Sequence, residues 1–243
     1  MDNFRYLDRD FSSLNMETGA TFNTFLSSNS VNSKFVSSLY GKKFIDNEMK
    51  ASNKLKSNNV IGNQDHGNIY FCHMPEKFLG TDHAGYRIGL VYHNHRDMRF
   101  TDDIFKLIFY GNKMFAGKTA DLSDFQLNLL TYQEFQMGYF KQSTLNENPF
   151  TYYIGLSFIK GQDYNSLRFN EASLYTEETG EYIDLNLSMT YQAMDTVKAE
   201  LTEFNGIGGA ANFYFSYRNE EKKYSWQLTI NNVGFIRWND RAL

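Results

Sequence analysis

A chain of 243 residues is long enough to bury a sizeable core and fits one all-β domain of ordinary size. Its formal net charge of −4 and pI near 5.8 exclude the global basic field of a nucleic-acid binder. A single cysteine, Cys72, excludes an internal disulfide framework, and no run approaches the roughly 18 apolar residues of a spanning helix.

Twenty-two Phe and 17 Tyr against 2 Pro favour β structure, and they also suit interfacial belts. A mean hydropathy of −0.52 is compatible with a membrane barrel, since only alternate residues of each strand face lipid. In chain order, residues 1–18 are polar and weakly patterned. The opening MDNFRYLDRD lacks the basic-then-apolar pattern of a signal peptide. Either the protein is cytoplasmic or these residues belong to a mature or incomplete product. Ala20 to Leu26 alternates as a short strand. From 32 to 56 the period becomes helical around Phe35, Leu39 and Met49 with lysines interspersed, which predicts a basic amphipathic helix broken at Gly41. Residues 57–67 read as an Asn/Gly loop, 68–73 as a short strand and 84–93 as a longer one. Thr101 caps a second helix over 101–110, and GNKMFAGKTADLS follows as a loop.

Thereafter the chain reads as β, with strands near 123–131, 132–141, 150–160, 164–169, 172–177, 182–192, 195–203, 210–218 and 223–233. Several reach the roughly 9–11 residues that a tilted strand needs to cross a bilayer. The clearest pair is a hairpin around the charged turn 218–222. Ala211, Phe213, Phe215 and Tyr217 oppose Asn212, Tyr214, Ser216 and Arg218, so one face is aromatic and the other polar. This suits a barrel wall, apolar outside and wet inside, and equally a soluble sheet packed on one side. GIGG at 206–209 reads as a flexible turn. There is no repeat or linker, so 1–243 is one domain.

GNKMFAG at 111–117, YQEFQMGYFKQ at 132–142, TYYIGLSFIKG at 151–161 and NNVGFIRWND at 231–240 resemble an uncharacterised family of Bacteroidota outer-membrane β-barrel proteins. That family is similar to barrel components of the type IX secretion system and to porin-like and fatty-acid-transporter-like barrels. The resemblance covers the chain from about residue 14 onward. It implies a mainly β, antiparallel transmembrane barrel, or the N-terminal part of one, with short helices near 32–56 and 101–110. It also implies a signal peptide upstream and further strands downstream, so the domain is expected to be incomplete at both ends. The family carries no established catalytic residues.

Candidate chemistry is sparse. All five histidines lie between 66 and 95, and His93 and His95 share a strand face with Arg87, Gly89 and Val91. Imidazoles at that spacing can share a metal, with Cys72, Asp82 or Asp97 as further ligands. Nothing fixes a third ligand, and HNHRD is also a polar-turn sequence, so no metal is assigned. The pairs Asp102/Asp103 and Glu177/Glu178 are adjacent and do not oppose one another across a substrate. No nucleophile elbow, P-loop or dinucleotide fingerprint occurs. The expectation is therefore a non-enzymatic outer-membrane protein with no catalytic, cofactor or metal residues. Its role would lie in transport, secretion or as a surface-assembly scaffold, and its partners would be outer-membrane lipid and other envelope or secretion proteins. Segment 30–60 or helix 101–110 would gate the lumen, and Tyr152, Tyr191, Tyr217 and Trp226 would form an interfacial girdle. The alternative is a soluble all-β binding module for glycan, lipid or protein.

Overall fold

The computed structural model describes residues 4–8, 15–41, 43–194 and 204–239. The strands are β1 (Met16–Ser28), β2 (Asn59–His73), β3 (Lys77–Phe78), β4 (Thr81–Asp82), β5 (Ala84–Phe100), β6 (Lys118–Asp121), β7 (Gln126–Leu145), β8 (Asn148–Thr176), β9 (Ile183–Ala193), β10 (Gly206–Asn219) and β11 (Tyr224–Trp238). Nine form one antiparallel sheet in the order β1-β2-β5-β7-β8-β10-β11, while β3 and β4 make a separate ribbon. The long β8 lies first between β7 and β10, then between β6 and β9. Among the described residues no ladder joins β1 to β11.

The two ends of the sheet differ. At one end β7 and β8 are joined by Asn146 and Glu147 alone, both at positive φ (50° and 66°), which is the two-residue hairpin geometry that follows strand twist. β10 and β11 are joined there by the four-residue turn 220–223. The opposite end carries the long connections and the α-helices: α1 (Ser33–Tyr40), α2 (Asn47–Ala51) and α3 (Asp102–Tyr110). Each starts on a side-chain cap, with Asn32 accepting from Phe35 N, Asp46 from Met49 N and Thr101 from Ile104 N. Gly41 ends α1, so the predicted break is where the sequence places it. Phe35, Val36, Ile104 and Phe105 pack on Phe100, Phe115, Leu122 and Ala172 as an apolar core at this end. Beside it, Lys106 pairs with Asp102 at 2.6 Å and Asp103 at 3.2 Å, and these contacts raise its pKa above the ordinary lysine value.

Strand boundaries depart from the sequence reading in a consistent way. Residues 59–67, expected as a loop, are the first half of β2, because β1 and β5 pair with it on both sides and satisfy its backbone. The expected pair 123–131 and 132–141 is one strand, as are the three pieces between 150 and 177. Bulges in β8 at Gln162 and Asn170 slip its alternation by one residue and break the period without ending the strand, while β7 runs unbulged against β5 through Thr131 and Tyr132. GIGG opens β10 rather than turning: the indole of Trp238 lies against Gly161 and Gly206, where a Cβ would strike it. The loop expected after residue 110 holds a 3-10 turn (Asn112–Phe115) and β6. The strand expected at 195–203 lies outside the described residues.

Register explains which residues share a face. One row across the sheet reads Ile88, Met137, Leu156, Ala211, Val233, and the next reads Leu90, Phe135, Phe158, Gly209, Phe235. Both rows point outward and most of their large side chains are exposed, Leu156 by 69%. The row beyond is Tyr92, Gln133, Lys160, Ile207, Arg237, where the outer surface turns polar. The rows that alternate with these point inward and are mostly polar or glycine. Gly138 and Gly155 are register partners beneath the ring of Tyr153, and a Cβ on either would collide with it. Gly138→Val is expected to cost about 1–3 kcal/mol through overpacking, read as a lowered urea midpoint. An unchanged midpoint would mean that Tyr153 is not seated there.

Candidate functional site in the sheet interior

The sheet is curled enough for its inner face to contact itself. Asn232 of β11 lies at positive φ (55°), and its amide nitrogen is 3.3 Å from Nε2 of His93 on β5, although three strands intervene in the pairing order. The same His93 nitrogen lies 2.9 Å from Oε1 of Glu134 on β7. Glu134 Oε2 accepts from Gln136 (2.8 Å), whose Oε1 accepts from Nη1 of Arg87 (2.7 Å), and Arg87 Nη2 donates to Asn68 (3.2 Å). On the neighbouring strands, Asn212 of β10 donates to Ser157 Oγ of β8 at 2.8 Å and accepts from the backbone N–H of Asn232 of β11 at 2.9 Å. Glu134 and Arg87 are each only 1% exposed. Burial of such groups is tolerable because each finds partners in a continuous network.

Aromatic rings frame the histidine end of this network. His93 stacks on Tyr132 at 4.5 Å and on His95 at 5.8 Å, and meets His66 edge-on at 4.9 Å. His66, His93 and Tyr132 are register neighbours on β2, β5 and β7.

At the short-turn end, residues 4–8 enter the interior as a single 3-10 turn (Arg5–Asp8). Phe4 stacks on Tyr153 at 4.6 Å, and Tyr6 stacks on Tyr70 at 4.1 Å. The Tyr6 hydroxyl accepts from Arg87 Nε. Burial pushes this phenol's pKa well above the ordinary value, with the Arg87 charge opposing it, so Tyr6 stays a neutral group. Asp8 accepts from Tyr214 at 2.6 Å and from Ser216, while the Leu7 carbonyl accepts from Gln142 at 2.7 Å. Five residues thus touch β2, β5, β7, β8 and β10 together, which only a concave surface allows.

His93 and His95 share a face with Arg87, Gly89 and Val91 as expected, and in the structure that face is the inward one. The further metal candidates do not join it. Cys72 points inward nearer the short-turn end, Asp82 lies on the β3–β4 ribbon beside Lys77 (4.0 Å), and Asp97 accepts from Asn128 at an exposed site. Among the described residues no group of three or more His, Cys, Asp or Glu side chains could hold a metal ion. Sequence reasoning missed Glu134, Gln136, His66 and Asn232, and the residues of the 4–8 turn. His66 was discoverable only once 59–67 was read as strand, since its link to His93 is one of register. The arrangement can hold charge inside the sheet and fill it; at this level the interior is packed with side chains. A hollow of about 580 Å³ bordered by the outward side chains Phe22, Ile69, Leu90 and Tyr92 lies over Gly67.

A family model covering residues 11–243, that of a family of unknown function (DUF5723), matches this chain. The chain belongs to DUF5723. The expected membership of an uncharacterised family is therefore met for nearly the whole chain, and residues 4–8 precede the matched span of the DUF5723 model. Comparisons with curated proteins and with solved structures returned no match.

Proposed function

We propose that this DUF5723 chain forms the wall of an outer-membrane β-barrel of the Bacteroidota kind its sequence resembles. It would act without catalysis as a scaffold or gated conduit in transport, secretion or surface assembly. The observation that carries this reading is the inverted polarity of the sheet. Leu90, Phe135, Leu156, Phe158 and Phe235 are exposed outside, while Arg87, Glu134, Asn68 and Asn212 are buried inside. A soluble sheet gains its stability by the opposite arrangement, and contiguous exposed apolar area of this kind marks a surface made for another solvent. On β8 the outward run from Tyr152 to Lys160 covers about 27 Å along the strand, or roughly 20 Å after a tilt near 40°, comparable with an apolar band about 25 Å tall.

Two further features support it. Near the short-turn end the rings of Phe71, Tyr86, Phe78, Tyr139, Tyr152 and Phe150 form a chain of contacts between 5.4 and 6.3 Å, the girdle expected at a headgroup interface. Tyr152, Tyr217 and Trp226 lie at this end, whereas Tyr191 stands on β9 at the other. Short turns at one end and long helical connections at the other match the asymmetry of such barrels. In this reading α1, α2 and α3 cover the long-loop mouth, and the packed interior favours a scaffold or gated state over a standing open pore. The rival, a soluble binding module, requires the apolar alternates at 183–191 and 211–217 to be buried on a second layer. Among the described residues no such layer covers them, and Ile183, Leu185 and Met189 are all exposed. The test is fractionation of the natively expressed protein followed by gel mobility with and without boiling. An outer-membrane band that shifts on boiling is expected; a soluble product with no shift would sink the barrel reading.

A further inference from the structure

We propose that the inner wall formed by Tyr70, Arg87, Tyr153, Tyr214 and Ser216 is a peptide-recognition site. It takes a short segment bearing an aromatic ring, a phenol two residues on and a carboxylate two residues further, and residues 4–8 of the chain occupy it in cis. Each element of that pattern meets a matched group. The Phe4 ring lies on Tyr153 with the Arg87 guanidinium 5.3 Å from its centroid, the Tyr6 ring lies on Tyr70 with its hydroxyl on Arg87, and the Asp8 carboxylate takes both the Tyr214 and Ser216 hydroxyls. Leu7 is fully buried between them.

Two observations separate this from ordinary core packing. Among the described residues the segment is held by side chains: its backbone joins no ladder, and its backbone link to the wall is the Leu7 carbonyl on Gln142. A unit held this way can leave without unpairing a strand. Arg87, moreover, is a buried cation whose hydrogen-bond partners among the described residues, Tyr6, Gln136 and Asn68, are all neutral oxygens. Gln136 and Asn68 are fixed on strands, so the one exchangeable partner is the phenol that the segment brings. A guanidinium seated between aromatic faces is suited to such oxygen-bearing rings. The inference needs the curled sheet alone and not the membrane reading.

Cys72 supplies a native reporter. It is the chain's one cysteine, fully buried in the same cluster as Phe4 and Leu7. The experiment measures the rate at which a small maleimide modifies Cys72 in the folded full chain and in Tyr6→Ala/Asp8→Ala, with circular dichroism as the check on folding and boiling-dependent mobility run on the same samples. The expected result is slow labelling of the native chain and labelling faster by about tenfold or more in the double variant, because the rate follows the population of the open form. Adding free peptide MDNFRYLDRD should restore protection to the variant, and the same peptide carrying both alanines should not. Tyr6→Phe, which keeps the ring stack and removes only the hydroxyl from Arg87, should give a smaller acceleration and serves if the double variant does not fold. Fast labelling of the native chain, no acceleration in a folded variant, or acceleration that the peptide does not reverse would each overturn the proposal. Absence of a boiling shift with the labelling pattern intact would count against the barrel and leave the peptide site standing.

Discussion

On the proposed barrel reading, Leu156→Arg is expected to destabilise the protein in vesicles by about 2–4 kcal/mol, the cost of a cation near the midplane of a barrel wall. Leu156 sits in the middle of the outward rows, with Met137 and Ala211 beside it, and is the most exposed of the large apolar side chains on β8. The two readings of the sheet give opposite results here. In water, replacing an exposed leucine by arginine is neutral or improves solubility; in lipid, it places a charge where no partner exists. The measurement is the urea midpoint of protein refolded into vesicles, with yield in the membrane fraction as a second readout. Glu221→Arg, in the turn between β10 and β11, is the control and should change neither quantity by much. A Leu156→Arg chain that inserts and unfolds like the parent would argue against lipid contact.

His93→Leu is expected to cost about 3–5 kcal/mol, the usual penalty for leaving a buried carboxylate without its partner. The Glu134 carboxylate, fully enclosed, would keep the Gln136 amide and lose the imidazole at 2.9 Å. Removing both partners is a different matter, since an apolar pair of similar volume leaves nothing stranded. His93→Leu/Glu134→Leu should therefore recover most of the loss, and a double-mutant cycle on urea midpoints measures how much. If the double variant is as unstable as the two single costs added together, the pair is not the unit that matters. The rest of the chain from Gln136 through Arg87 to Asn68 would then be carrying the interior.

Much of the fold is legible in the sequence because it depends on local chemistry. The helix cap Thr101 and the break at Gly41 are short-range features that fall where the residues put them, and the charged hairpin turn read at 218–222 is found at 220–223. Alternation in Ile183–Tyr191 and Ala211–Arg218 likewise fixes strand and face together. What failed did so for identifiable reasons. Residues 59–67 look like a loop because a strand whose inner face is polar carries the Asn, Gln and His that ordinarily mark turns. β8 looks broken because bulges at Gln162 and Asn170 slip its period, and β7 looks broken because the adjacent Leu129 and Leu130 interrupt its alternation although its register with β5 is continuous. No local signal connects His66, His93, Glu134 and Asn232, which lie on four different strands, or ties Tyr6 to Arg87 across 81 positions.

The sequence by itself determines an antiparallel sheet with one apolar and one polar face, since side-chain alternation is set residue by residue. It does not say which face is inside, because a sandwich and a barrel use the same alternation with opposite sense. Only the tertiary structure decides that: the register aligns Leu90, Phe135, Phe158 and Phe235 into an exposed row, and the curl of the sheet closes around Arg87, Glu134 and His93. The physical reason is that curvature and long-range register are properties of several strands taken together, fixed by bulges, by glycines beneath Tyr153 and Trp238, and by hydrogen bonds between residues far apart in the chain.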